Sequence, residues 1–159
     1  MKLWQIVFSP TGGTQKAADL LCGGLRGETV SVDLCSSGMD FSAFRPGCGD
    51  TAVIAVPSYG GRVPVAAAQR LLAMPGGGAR AVLLCVYGNR AYEDTLVELE
   101  DLAKAAGFRV AAAVAAVAEH SIARRYAAGR SDAKDAETLR GFARQIQVKL
   151  DAGGDALPP

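Results

Sequence analysis

Between the end of a first apolar run and the start of a helix-like pattern the chain reads Phe8-Ser9-Pro10-Thr11-Gly12-Gly13-Thr14. Three hydroxyls and two glycines fall in one short turn. A strand-to-helix turn of this kind aims backbone N–H groups and a helix N-terminus at a single point, where an anion such as a phosphate can be held. No Lys or Arg lies between Phe8 and Gln15, so hydroxyls and amides would do the holding. The same residues also make an ordinary strand-to-helix connection. The turn alone does not separate the two readings.

Spacing excludes better-known chemistries. The P-loop needs G-x-x-x-x-G-K-[ST], and the chain has no Gly-Lys pair. Gly12-Gly13 lacks the G-x-G-x-x-G spacing of dinucleotide folds. Cys22, Cys35, Cys48 and Cys85 form no C-x-x-C pair and have no clustered His, which argues against zinc or iron–sulfur ligation and for buried free thiols. Cys85 and Arg90 are one residue short of the phosphatase loop C-x-x-x-x-x-R. A phospho-accepting receiver domain is disfavoured, because the third strand ends in Val56-Pro57-Ser58 without an aspartate.

At 159 residues the chain has room for one domain with a substantial core. Half the residues are hydrophobic and 21% are charged, a globular and not a disordered composition. A net charge of +1 gives no electrostatic case for nucleic acid or an anionic membrane as partner. The longest apolar run, Val110 to Ala118, is too short to span a bilayer, and the N-terminal run is too short for a signal-peptide core. The expected location is cytoplasmic. Residues 1–150 read as the domain and 151–159 as a flexible tail.

The turn must be positioned by a regular frame. Apolar or alternating runs at Leu3–Phe8, Thr29–Leu34, Thr51–Val56, Ala81–Tyr87 and Phe108–Val117 predict five strands. The last is alanine-rich and has helix propensity, but it follows a glycine-stopped helix and fits the alternation. Helical patterns lie at Thr14–Cys22, from Pro64 to Met74, over Ala91–Ala106, and from a Ser131 or Asp132 cap to Leu150. A short helix fits near Met39–Phe44. The expected inward residues are Leu96, Leu99, Leu102 and Ala106 in the third helix. In the fourth they are Ala136, Leu139, Phe142, Ile146 and Leu150. The alternation predicts an α/β domain with an open parallel sheet wound on both faces. Ligands of such sheets bind beyond the carboxyl ends of the strands, where the strand order reverses.

With strand order 2-1-3-4-5, three loops become neighbours: Ser9–Thr14, Pro57–Arg62 and Gly88–Glu93. Each feature has a plain alternative. Tyr59 and Tyr92 can be surface residues, Gly60-Gly61 a simple turn, Asn89 a helix N-cap, and Arg62 and Arg90 solvated.

The turn Ser9-Pro10-Thr11-Gly12-Gly13-Thr14 resembles the phosphate loop of flavodoxins, [ST]-x-T-G-x-T. The segments Pro57-Ser58-Tyr59-Gly60-Gly61-Arg62-Val63-Pro64 and Tyr87-Gly88-Asn89-Arg90-Ala91-Tyr92-Glu93-Asp94 resemble the flavin-ring loops of flavodoxin domains in fused flavodoxin–ferredoxin electron-transfer proteins. Ala118-Glu119-His120-Ser121 resembles their segment after the fifth strand. The likeness spans about residues 3–150 and implies a flavodoxin-like three-layer sandwich, a five-stranded parallel sheet of order 2-1-3-4-5, with FMN as cofactor.

By that resemblance Ser9, Thr11, Gly12, Gly13 and Thr14 hold the phosphate. Pro57, Ser58, Tyr59, Gly60 and Gly61 run along the isoalloxazine edge. Gly88, Asn89, Arg90 and Tyr92 also bind the cofactor, with Asn89 near the polar pyrimidine end of the ring. Tyr59 or Tyr92 would stack on the ring, Gly60 or Gly61 would present a flipping peptide near N5, and Arg62 or Arg90 would approach N1.

The implied function is an electron carrier between redox partner proteins of ferredoxin-like or flavin reductase type. The alternatives are an FMN-dependent NAD(P)H:quinone-type oxidoreductase, with His120 its one candidate acid or base, and a flavodoxin-like interaction domain without cofactor. Two departures stand out: no cysteine-rich ferredoxin part follows in this sequence, and the chain is not acidic as many flavodoxins are.

Overall fold

The computed structural model describes residues 1–87, 93–117 and 133–152. Strands β1 (Lys2–Val7), β2 (Glu28–Asp33), β3 (Thr51–Pro57), β4 (Arg80–Tyr87) and β5 (Arg109–Val117) alternate with helices α1 (Gly13–Cys22), α2 (Val65–Ala73), α3 (Glu93–Ala105) and α4 (Ala133–Asp151). The strands form one parallel sheet in the order β2-β1-β3-β4-β5. That is the expected order, and it includes the alanine-rich β5. The short helix expected near Met39–Phe44 is a single 3-10 turn, Phe41–Ala43, whose Ser42 amide donates to the Asp40 carboxylate.

Alternation along the strands divides the core into two layers. Leu3 and Val7 of β1, Val53 and Ala55 of β3, and Val82, Leu84 and Val86 of β4 face α1 and α4. Trp4, Ile6, Phe8, Ile54, Val56 and Leu83 face α2 and α3. The central strands are buried on both sides, as continuous apolar runs require. Gln5 is a polar exception on the α1 side. Its amide donates to Asp19 Oδ1 at 2.7 Å and its carbonyl oxygen receives the Ser31 hydroxyl at 3.4 Å. Burial without loss of hydrogen bonding is thereby kept.

The helix faces differ in detail from the sequence periodicity. In α3 the fully buried stripe is Thr95, Leu99 and Ala103, with Leu96 and Leu102 only half-buried at its margins. In α4 Leu139, Ala143, Ile146 and Leu150 are buried, while Phe142 is 38% exposed. Ala143 takes the place expected of Phe142 because α4 meets α1 closely here. A Cβ built on Gly24 would fall 2.6 Å from the Ala143 Cβ, a separation that only small residues permit.

The thiols are free, but their environments differ. Cys22 and Cys85 are buried, and burial pushes each thiol up to about 12, helped at Cys22 by Asp19. Cys35 is half-buried and Cys48 exposed, contrary to the expectation of four buried thiols. α4 closes at Asp151, with residues 153–159 outside the described chain.

Candidate functional site

The parallel sheet brings the ends of β1, β3 and β4 side by side. Val7 lies opposite Ala55, and Pro57 opposite Val86. The pairing runs on past the strands, with the Phe8 amide on Ala55 O at 3.0 Å and the Ser58 amide on Val86 O at 2.9 Å. The turns that follow β1 and β3 therefore leave the same edge of the sheet from adjacent strands. The strand order, with all strands parallel, forces this placement.

The first turn is organised by Ser9. Its Oγ accepts the Gly12 amide at 3.1 Å and the Gln15 amide at 3.0 Å. A hydroxyl has two lone pairs and one proton. With both lone pairs occupied by amides, the proton is what remains for a ligand. Gly12 sits at φ 94°, a left-handed conformation that glycine adopts without strain, and it leads directly into α1. A Cβ built there meets nothing within 4 Å, so the turn opens outward.

Among the described residues no acceptor meets the amides of Thr11, Gly13 and Thr14. Among the same residues the Thr14 hydroxyl also has no hydrogen-bond partner, in a residue only 4% exposed. The first turn of α1 carries no acidic residue to oppose its dipole. Donors without acceptors at a helix N-terminus make a neutral anion cradle. Beside it, Cys35 is pushed up by burial, partly opposed by the Ser9 amide near its sulfur.

The second turn is closed on itself. The Tyr59 amide donates to Arg62 O at 2.9 Å and the Arg62 amide to Tyr59 O at 3.0 Å. Gly60 and Gly61 between them have φ 59° and 79°. Two successive positive φ values in a two-residue hairpin are the signature of a type I′ turn. Among the described residues nothing lies within 4 Å of a Cβ built on either glycine. Tyr59 is half-buried against the α2/α3 core layer and so is not a free surface ring.

Two residues of α3, unsuspected in the sequence, fasten this turn. The Ser58 and Thr95 hydroxyls share a buried hydrogen bond of 2.7 Å. The hydroxyl of Ser58 thus lies behind the turn. Glu98 receives Arg62 Nε at 3.1 Å, Arg62 Nη2 at 2.9 Å and the Val63 amide at 2.7 Å. The Arg62 guanidinium, with the Val63 amide behind it, holds the Glu98 carboxyl below the usual carboxylate range. Arg62 is accordingly engaged in an ion pair, neither merely solvated nor an unopposed cation. Thr95 was discoverable as the one polar residue on the buried stripe of α3. No local signal marks Glu98, whose partners lie 35 and 36 residues away.

Gly88, Asn89, Arg90 and Tyr92 lie outside the described residues, as do Glu119, His120 and Ser121. Among the described residues no group of three or more His, Cys, Asp or Glu side chains converges to hold a metal ion. A groove of about 310 Å³ on the flank, between α1 and α4, is lined by Asp19, Leu20, Gly23, Gly24, Arg140 and Arg144. It lies toward the far end of α1 from the cradle.

No family model and no curated protein sequence matches the chain. Solved structures do. A flavodoxin of Streptococcus pneumonia TIGR4 superposes with a TM-score of 0.64 at 21% identity, over 92% of this chain and 99% of that one. Flavodoxin 1 of Bacillus cereus gives a TM-score of 0.63 at 16% identity, over 94% and 98%. The chain has the flavodoxin fold. A larger protein contains the same fold: rubredoxin oxygen:oxidoreductase of Desulfovibrio gigas superposes at a TM-score of 0.66 and 15% identity, over 95% of this chain but 36% of that one. Within a flavodoxin fold the turns described above occupy the strand ends where the order reverses, between β1 and β3.

Proposed function

We propose that the chain binds FMN and carries electrons between redox proteins, of ferredoxin-like or flavin reductase type, in the cytoplasm. The observation that carries this reading is the pairing of two unlike turns on adjacent strand ends. One presents unpaired amides and hydroxyls at a helix N-terminus, and the other a smooth glycine edge.

The residues fit the group. Thr11, Gly13 and Thr14 would give amides to the phosphate, and Ser9 and Thr14 would give hydroxyl protons. Among the described residues no atom lies within 4 Å of a Cβ built on Gly12, Gly60 or Gly61, which leaves room for a ligand beside them. Tyr59 packs against the core layer at the start of the turn, and the type I′ turn offers a peptide that can turn while both its ends stay bonded. FMN, when bound, supplies the electron-transfer chemistry. The chain holds it, shields one side and sets the charge around it. Within the fold, the segments 57–64 and 87–94 support a relation to the flavodoxin domain of fused flavodoxin–ferredoxin proteins.

The test is a titration of the purified protein with FMN, followed by visible absorbance and flavin fluorescence, with riboflavin in parallel. Tight FMN binding and much weaker riboflavin binding are expected, since the cradle recognises the phosphate. An FMN affinity no better than millimolar overturns the proposal. Assays with NAD(P)H and a quinone separate the carrier from the reductase alternative, because a carrier gives no sustained turnover on its own.

A further inference from the structure

We propose that Glu98 is a positioning residue for the cofactor-facing turn, fastening it to α3 and cancelling the charge of Arg62 so that the edge is both fixed and neutral. The inference deepens the FMN reading and rests on it for its electrostatic half.

Three observations combine. Glu98 takes three hydrogen bonds from two successive residues at the end of the turn, Arg62 in a two-pronged pair and Val63 through its backbone. Thr95, one helical turn earlier on the same face of α3, holds Ser58 at the start of the turn through a buried bond. Between these anchors the chain is closed by its own Tyr59–Arg62 bridge. α3 therefore grips the segment at both ends, and the glycine pair is the part left to adjust.

An exposed ion pair is ordinarily weak, because water screens both charges. The Arg62 side chain is 71% exposed, so the pair alone would be of that kind. The Val63 amide changes the case: it belongs to a residue only 4% exposed, and Glu98 is its acceptor. Removing the carboxylate does two separable things. It orphans a backbone amide, and it releases a guanidinium one residue from the glycine edge. A freed cation there would favour a cofactor that gains negative charge on reduction.

Substitutions in the full-length chain separate the two effects. Glu98→Gln keeps an acceptor for Val63 and removes the charge. Glu98→Ala removes both. Arg62→Gln removes the cation alone, and the double variant Arg62→Gln/Glu98→Gln is neutral on both sides. In FMN-free protein, amide hydrogen exchange at Val63 and Arg62 should quicken about tenfold or more in Glu98→Ala, and change less than about threefold in Glu98→Gln. With FMN, the ratio of reduced to oxidised affinity, read from midpoint potentials, should rise about threefold in Glu98→Gln and fall in Arg62→Gln. The double variant should return to within about twofold of the parent.

Unchanged exchange in Glu98→Ala overturns the fastening role. Single variants that shift the potential in the same direction, or not at all, overturn the charge cancellation. Failure of every variant and the parent to bind FMN overturns the functional reading and the charge cancellation together, while the exchange result still decides the fastening.

Discussion

The segment 9–14 is held from within, by one serine oxygen that collects two of its own amides, whereas the segment 58–63 is held from without, by two side chains of a distant helix. The first leaves donors open, and the second leaves almost nothing open but a glycine edge. Recognition of a charged group and support of a flat one make these different demands. An anion is best met by a ring of amides already aimed at it, and a ring system by an edge anchored at both ends and free to adjust between them.

A methyl group added to each turn breaks the comparison most sharply. Gly12 and Gly61 both have positive φ and free space beyond them, so alanine at either should cost stability by strain alone, about 1–2 kcal/mol. FMN affinity should separate them: Gly12→Ala should lose at least about a hundredfold, near 2.7 kcal/mol, and Gly61→Ala about tenfold. Equal losses would mean that the first turn is not the phosphate mouth.

Urea unfolding of FMN-free protein probes the two kinds of support. Thr95→Val leaves the buried Ser58 hydroxyl without its partner and should cost about 1–3 kcal/mol. Ser9→Ala frees amides near the surface that water can reach, and should cost about 1 kcal/mol. The reverse order would show that the inner fastening is the stronger.

Salt gives a smaller effect. No Lys or Arg lies in the 9–14 segment. FMN affinity, measured by fluorescence titration, should therefore change less than about threefold from 0.1 to 1 M salt, over which the screening length falls from about 10 to about 3 Å. A steep loss would point to a cation reaching the cradle from elsewhere.

Acid should act on the second turn alone, and least of all. The Glu98 carboxyl is held low by Arg62, so its contribution to stability is present above the unfolded pKa and disappears as pH falls through the depressed folded value. The loss should fall below pH of about 4, the ordinary carboxylate range. Asp50 behaves likewise at the other end of the sheet. Burial pushes it up, but the Lys2 and Gly47 amides and the Trp4 indole outweigh that and hold it low. Thermal melts from pH 7 to 3 on Glu98→Gln and Asp50→Asn apportion the two, each variant flattening the profile.

These contrasts also explain what the sequence could reveal. Apolar runs such as Thr51–Val56 and Arg80–Tyr87 are legible because a strand covered on both faces has no polar alternation to hide it. β5 is legible only through the alternation of elements, since its alanines point the other way. The left-handed Gly12 and the glycine pair were marked by composition. The role of Ser9 as an internal acceptor was not, because the same hydroxyl can face a ligand or its own backbone. Phe142 misled because periodicity ranks residues by hydrophobicity, whereas the α1–α4 contact selects for smallness. Glu98 was invisible because its meaning lies in partners across the fold.

The contact of Gly24 with Ala143, supported by Arg26 on Asp151 and Gln147, has a temporal side. Helix α1, whose N-terminus forms the cradle, leans on α4, which lies far along the chain from it. Domains fold as units during synthesis. An emerging chain carries every residue of the cradle long before it has the buttress behind them, so the helix N-terminus is braced only once α4 has been made.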